Sequence, residues 1–156
     1  MTRCEIRRRG GRAALGLLLL VGLLVSGVET DHARAAASHR RAERLLALTN
    51  EARVEHGRRA LALDAGLSRY AKRHSRAMAE AGELFHSEDL AAVLDGREWS
   101  VGGENVGVGT SLAGLQRAFL ASKPHRRNIL RRTYDHAAIG IVRSDGSIWV
   151  TVIFYG

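Results

Sequence analysis

Leu67, Tyr70, Ala71, His74 and Met78 fall at i, i+3, i+4, i+7 and i+11, a spacing that gathers side chains on one face of a helix. Asp64 is placed to cap that helix and Gly82 to close it. Leu45, Leu48 and Ala52 predict an earlier helix over residues 38–56, ended by Gly57. A short helix is expected from Ser87 to Leu94, stopped by Gly96, and a further one from about Ser111 to Ser122, with Leu112, Leu115 and Phe119 on one side. Pro124 disfavours helix for the residue before it and so closes that segment.

The last segment changes period. "HAAIGIVR" and "IWVTVIFY" flank "SDGS", and Asp-Gly between two β-rich runs predicts a hairpin. The second run is almost continuously apolar, so both its faces are expected to be covered. Helices first and a hairpin last predict an α+β fold, with helices on both sides of an antiparallel sheet and the final strand structural.

The first third reads differently. Residues 1–12 hold five arginines, residues 13–28 carry no charge, and "ARAAAS" follows. This is the layout of a secretory signal peptide, with cleavage expected after Ala35 or Ala37. The apolar run is shorter than the ~20 residues of a spanning helix. The alternative is an uncleaved membrane anchor, and the arginine run also admits a twin-arginine export signal. Residues 38–156 then form one domain, with no internal repeat and one proline.

Composition narrows the chemistry. The one cysteine, Cys4, lies in the leader, so residues 38–156 have neither a disulfide framework nor a cysteine zinc site. Their net charge is +5, against +8 for the whole chain. That balance favours acidic partners such as envelope polymers or anionic headgroups. No aromatic-basic platform for nucleic acid is present.

The stretch "VGGENVGVGTSL" has four glycines in its first nine residues and is expected to be a loop. It is not a phosphate loop, because it lacks the G-K-[ST] ending and the G-x-G-x-x-G spacing, and Glu104 would repel phosphate. Thr110 or Ser111 is expected to cap the next helix. G-x-S-x-G and HExxH are both absent. What remains is His86 in "LFHSED", Glu104 among the glycines and His125 in "SKPHRRNIL". All three lie at expected junctions, and two imidazoles with a carboxylate suit Zn²⁺ or another divalent metal, with a fourth position open to water. The bland alternatives are a dipole-stabilising histidine and a loop-pinning glutamate. His74, on an apolar helical face, is read as a core histidine.

Read together, "LTNEARVEHG", "LSRYAKRHSRAMA" with "FHS", "GENVGVG", "FLASKPHRRNIL", "YDHAAIGIV" and "WVTVIFYG" resemble a bacterial member of the CAP superfamily. This superfamily comprises the cysteine-rich secretory, antigen 5 and pathogenesis-related proteins and is also called the SCP domain. The resemblance runs from about Leu45 to Tyr155. It implies a three-layer α-β-α sandwich with a central antiparallel sheet. It also implies a cleft of two histidines and two acidic residues that binds divalent metal in some members. On this chain these are His86, His125 and the Glu104 of "GEN". The second glutamate, expected on the helix before His125, is missing from "SLAGLQRAFLAS", so either three ligands bind metal with Glu88 or Asp89 assisting, or the triad is a hydrogen-bonded device that holds the fold. Asn105 and Asn128 are expected to be structural. Arg126, Arg127, Arg131 and Arg132 form a basic cluster suited to anions or simply to solvent. The resemblance implies a secreted, non-enzymatic ligand-binding or interaction module whose partner is open, with lipid, sterol and acidic cell-envelope polymer as candidates; export and the lack of an aromatic-basic platform argue against nucleic acid. The alternative is a zinc-dependent hydrolase of peptide, ester or cell-wall substrates.

Overall fold

The computed structural model describes residues 16–156, with side chains from residue 32 onward. The arginine-rich start and Cys4 of the expected leader lie outside the described residues. The chain divides into two compact units between Ala37 and Ser38, and Ser38–Gly156 holds the sheet. Among the described residues, no helix is long and apolar enough to cross a membrane.

The elements, in order, are α1 (Gly16–Glu55), β1 (Ala62–Leu63), α2 (Ala65–Ala81), α3 (Leu90–Leu94), β2 (Gly102–Gly109), α4 (Leu112–Ala121), α5 (Lys123–Leu130), β3 (His136–Ser144) and β4 (Ser147–Tyr155). One four-stranded sheet has the order β1-β3-β4-β2. β4 runs antiparallel to both β3 and β2, while the two-residue β1 pairs parallel to β3. The turn between β3 and β4 places Asp145 at φ 48° and Gly146 at φ 75°, as a two-residue hairpin of matching twist requires.

Successive strand residues point to opposite faces, and this alternation sorts the core into two clusters. Ala137, Ile139 and Ile141 of β3 join Ile148, Val150, Val152 and Phe154 of β4 on one face. There they pack with Leu45 of α1, Leu115 and Phe119 of α4 and Ile129 of α5. Ala138, Ile153 and Tyr155 point the other way, against Leu67 and Ala71 of α2 and Leu94 of α3. Helices therefore cover both faces of the sheet, the α+β three-layer arrangement expected from the sequence.

Two expectations need correction. The glycine stretch is not a loop but strand β2, paired with β4 from Gly102↔Tyr155 to Gly109↔Ile148. Its glycines serve close approach. A Cβ at Gly102 would meet Leu94, one at Gly103 would meet Tyr134 and Asn128, and one at Gly107 would meet Phe119. The helix before Pro124 does end, at Ala121, but the residues after it are helical too. Pro124 sits in the first turn of α5, where a missing N–H costs nothing, so His125 lies just past α4 and within α5. Gly140 permits a still closer approach: a Cβ there would fall on the carbonyl of Ala71 and the amide of Lys72 in α2.

Asp64 ties three elements together. Its Oδ1 accepts from the Leu67 amide at 2.8 Å, and its Oδ2 accepts from Arg97 Nε at 2.7 Å and the Tyr155 hydroxyl at 2.9 Å. Burial pushes the Asp64 carboxyl up, but these hydrogen bonds and the Arg97 charge outweigh it and hold the group below its usual value. Burial and then the bond to Asp64 push the Tyr155 phenol up to about 12. A depressed carboxyl contributes stability above its unfolded pKa of about 4, and that stability is lost as pH falls through the folded value. A raised phenol contributes stability below about pH 10 that is lost as pH rises towards 12. Asp64→Asn is expected to cost about 1–3 kcal/mol at neutral pH and to flatten stability below about pH 4. Urea denaturation from acid to neutral pH measures this, and a wild-type-like acid limb in the variant would rule it out.

Candidate functional site

β2 delivers Glu104 to the sheet edge beside the segment that follows α2. Its side chain is only 4% exposed, whereas that of His86 is 61% exposed. Glu104 Oε1 accepts from His86 Nδ1 at 2.7 Å and from the Ser87 amide at 2.9 Å, and its Oε2 accepts from the Ser87 hydroxyl at 2.6 Å. Ser87 Oγ in turn accepts from the Tyr70 hydroxyl at 3.1 Å. A buried carboxylate with these donors is compensated for its loss of water. Because a carboxylate oxygen accepts, the His86 proton sits on Nδ1, and in the neutral ring Nε2 carries the lone pair.

His125 stands in the first turn of α5 with its ring packed on Phe119, centroids 5.1 Å apart. Burial, and then the neighbouring His86, hold its pKa below the usual imidazole value, so the ring is neutral at pH 7. The asparagines fix its backbone. Asn105, fully buried, donates to the His125 carbonyl at 3.1 Å. Asn128 donates to the Glu104 carbonyl at 3.0 Å and to Asn105 Oδ1 at 2.8 Å. These amides thus brace β2 against α5, the structural role expected of them.

The structure therefore brings His86 and Glu104 into direct contact, with His125 near enough that a charge on His86 disfavours one on its ring. Among the described residues, no three His, Cys, Asp or Glu side chains form a group that could hold a metal ion. Asp89 does not join the cleft, because its carboxylate caps α3 through the Ala92 amide at 3.0 Å. Glu88 is exposed. Gln116 of α4, the helix without an acidic residue, is buried and accepts from the Thr49 hydroxyl of α1 at 3.1 Å. The basic cluster is exposed, with Arg131 over the Tyr134 ring and Arg126 at 3.2 Å from His56. His74 is a core histidine, with Nδ1 3.1 Å from the Thr151 hydroxyl and Nε2 buried without a partner.

Sequence reasoning missed Ser87 and Tyr70 in this network. The available signal was the hydroxyl directly after His86, since a serine beside a buried carboxylate offers both its amide and its side chain.

The family model for the cysteine-rich secretory protein family, CAP, matches residues 46–154. An uncharacterised protein of Bacillus subtilis (strain 168), YkwD, is 31% identical over 114 residues, or 69% of this chain and 44% of that protein. An extracellular protein of Bacillus anthracis str. Ames that contains an SCP domain is 25% identical, with a TM-score of 0.66 over 76% of this chain and 41% of that one. An outer surface protein of Borrelia burgdorferi shares the fold, with a TM-score of 0.65 at 18% identity over 72% of this chain and 90% of that one. The chain spans less than half the length of the two Bacillus proteins. With this match over most of its length, the chain belongs to the cysteine-rich secretory protein (CAP) family.

Proposed function

We propose that this protein is an extracellular, non-enzymatic ligand-binding or interaction domain, exported by a leader within residues 1–37, whose His86–Glu104–His125 cleft takes a divalent metal such as Zn²⁺. The extracellular and outer-surface descriptions of two structural relatives support the location. The observation that carries the reading of the cleft is the binding of Glu104 to His86 Nδ1. A carboxylate behind a histidine fixes its tautomer and raises its basicity, the arrangement found behind metal-ligating imidazoles.

His86 Nε2 and the His125 ring are the groups that would hold the metal, with Glu104 as the supporting carboxylate rather than a ligand. Two imidazoles fit a weak, exchangeable site. They are one short of the three protein ligands of a catalytic zinc centre and two short of a structural one, so the bound ligand or water completes the coordination. The alternative, a zinc-dependent hydrolase of peptide, ester or cell-wall substrates, needs a carboxylate free to take a proton from water. Glu104 already accepts three hydrogen bonds, which weighs against that role.

Calorimetric titration of the purified protein with Zn²⁺ tests the cleft. Saturable one-site binding is expected, lost in His86→Ala and in His125→Ala and weakened about 10–100-fold in Glu104→Gln. No binding by the wild type, or binding unchanged in both histidine variants, would remove the metal from the proposal.

A further inference from the structure

We propose that the groove between α2 and α3 is a second site, which binds a small organic phosphate monoester without needing metal in the His86–Glu104 cleft. The groove has a volume of about 610 Å³, within the range of small-molecule sites. Three guanidinium groups line it, those of Arg69, Arg73 and Arg97, with no carboxylate among its lining residues. Its apolar surface comes from Leu67 and Val93, and from the ring of Tyr70.

Arg69 and Arg73 have no acidic residue three or four positions away on α2. Arg69, Lys72, Arg73 and Arg76 fall at i, i+3, i+4 and i+7, and Glu80 is the sole acid in Ala65–Ala81. Like charges at this spacing repel, and an anion in the groove relieves that repulsion.

Counting charges selects the anion. Arg97 is already matched by Asp64, 2.7 Å away. The Arg73 guanidinium lies 5.8 Å from the Tyr70 ring centroid, and neither it nor Arg69 has an ion-pair partner among the described residues. Two unmatched guanidiniums call for a dianion. A phosphate monoester carries about −1.5 to −2 at pH 7, whereas a carboxylate or a phosphodiester carries only one charge. Guanidinium forks suit phosphoryl oxygens, and the apolar surface beside them receives the organic part.

The test is calorimetric titration of the full chain with phenyl phosphate in the presence of EDTA, beside Arg69→Gln/Arg73→Gln and a control pair, Arg132→Gln/Arg143→Gln, that removes the same charge elsewhere. These are surface positions, so folding is not at stake. One-site binding that persists with chelator, falls at least tenfold in the groove pair and is unchanged in the control pair is the expected result. An equal loss in both pairs would show a general charge effect and overturn the site. So would binding to phosphatidic-acid vesicles without binding to phenyl phosphate, because the occupant would then be a membrane surface.

Discussion

Gly140→Ala is expected to abolish stable folding. The added methyl would fall on the Ala71 carbonyl and the Lys72 amide, which are helix backbone and have no rotamer to yield. α2 would have to lift from the sheet. Doing so would strain the bond from Ser75 Oγ to the Gly140 carbonyl, now 3.1 Å, and uncover Leu67 and Ala71. Overpacking against side chains typically costs about 1–3 kcal/mol, and a backbone collision costs more, against a total stability of about 5–15 kcal/mol. A loss above about 3 kcal/mol in urea denaturation, or no soluble protein, is expected. A melting temperature within a few degrees of wild type would show that α2 does not lie as described.

Arg53→Leu is expected to be nearly as damaging. Arg53 is fully buried, and its partners are all carbonyls: Arg59 at 2.8 Å, Ile129 at 2.7 Å, Arg131 at 3.0 Å and Tyr134 at 3.0 Å. Burial, then the nearby Arg58, pulls its pKa down. The planar fork serves the turn after α1 and the end of α5 at once. Leucine would leave these carbonyls without their donor, at about 1–3 kcal/mol for each one that stays buried. The expected loss is about 4 kcal/mol or more. Arg53→Lys, with the charge kept but the fork gone, is expected to recover only part of it. If Arg53→Leu unfolds at the wild-type urea midpoint, the carbonyls have found water and this account fails.

What the sequence disclosed follows from how local each cause is. α2 was readable because its stripe, its Asp64 cap and its Gly82 stop all lie within one short segment. The β3–β4 hairpin was readable for the same reason. β2 was misread because its glycines are explained by Leu94, Asn128, Phe119 and Tyr134, which lie elsewhere in the chain. Arg53 was missed because its partners span residues 59–134. A clue was present, since Leu45, Ala52 and Arg53 share the buried stripe of α1, and a charge on such a stripe needs buried acceptors. At the site, the motif resemblance picked out His86, Glu104 and His125, but not that Glu104 supports His86 through hydrogen bonds.

The strand order β1-β3-β4-β2 has a kinetic consequence. The two inner strands are the last to appear, at His136–Ser144 and Ser147–Tyr155. A chain emerging N-terminus first has exposed the segments of all five described helices before any strand can pair in its final register. β2 and α2 must wait for sheet partners roughly forty to ninety residues downstream, and closing such long loops is entropically slow. The growing chain therefore remains pliable until β4 has emerged, and the sheet and both helical layers close together in one late step.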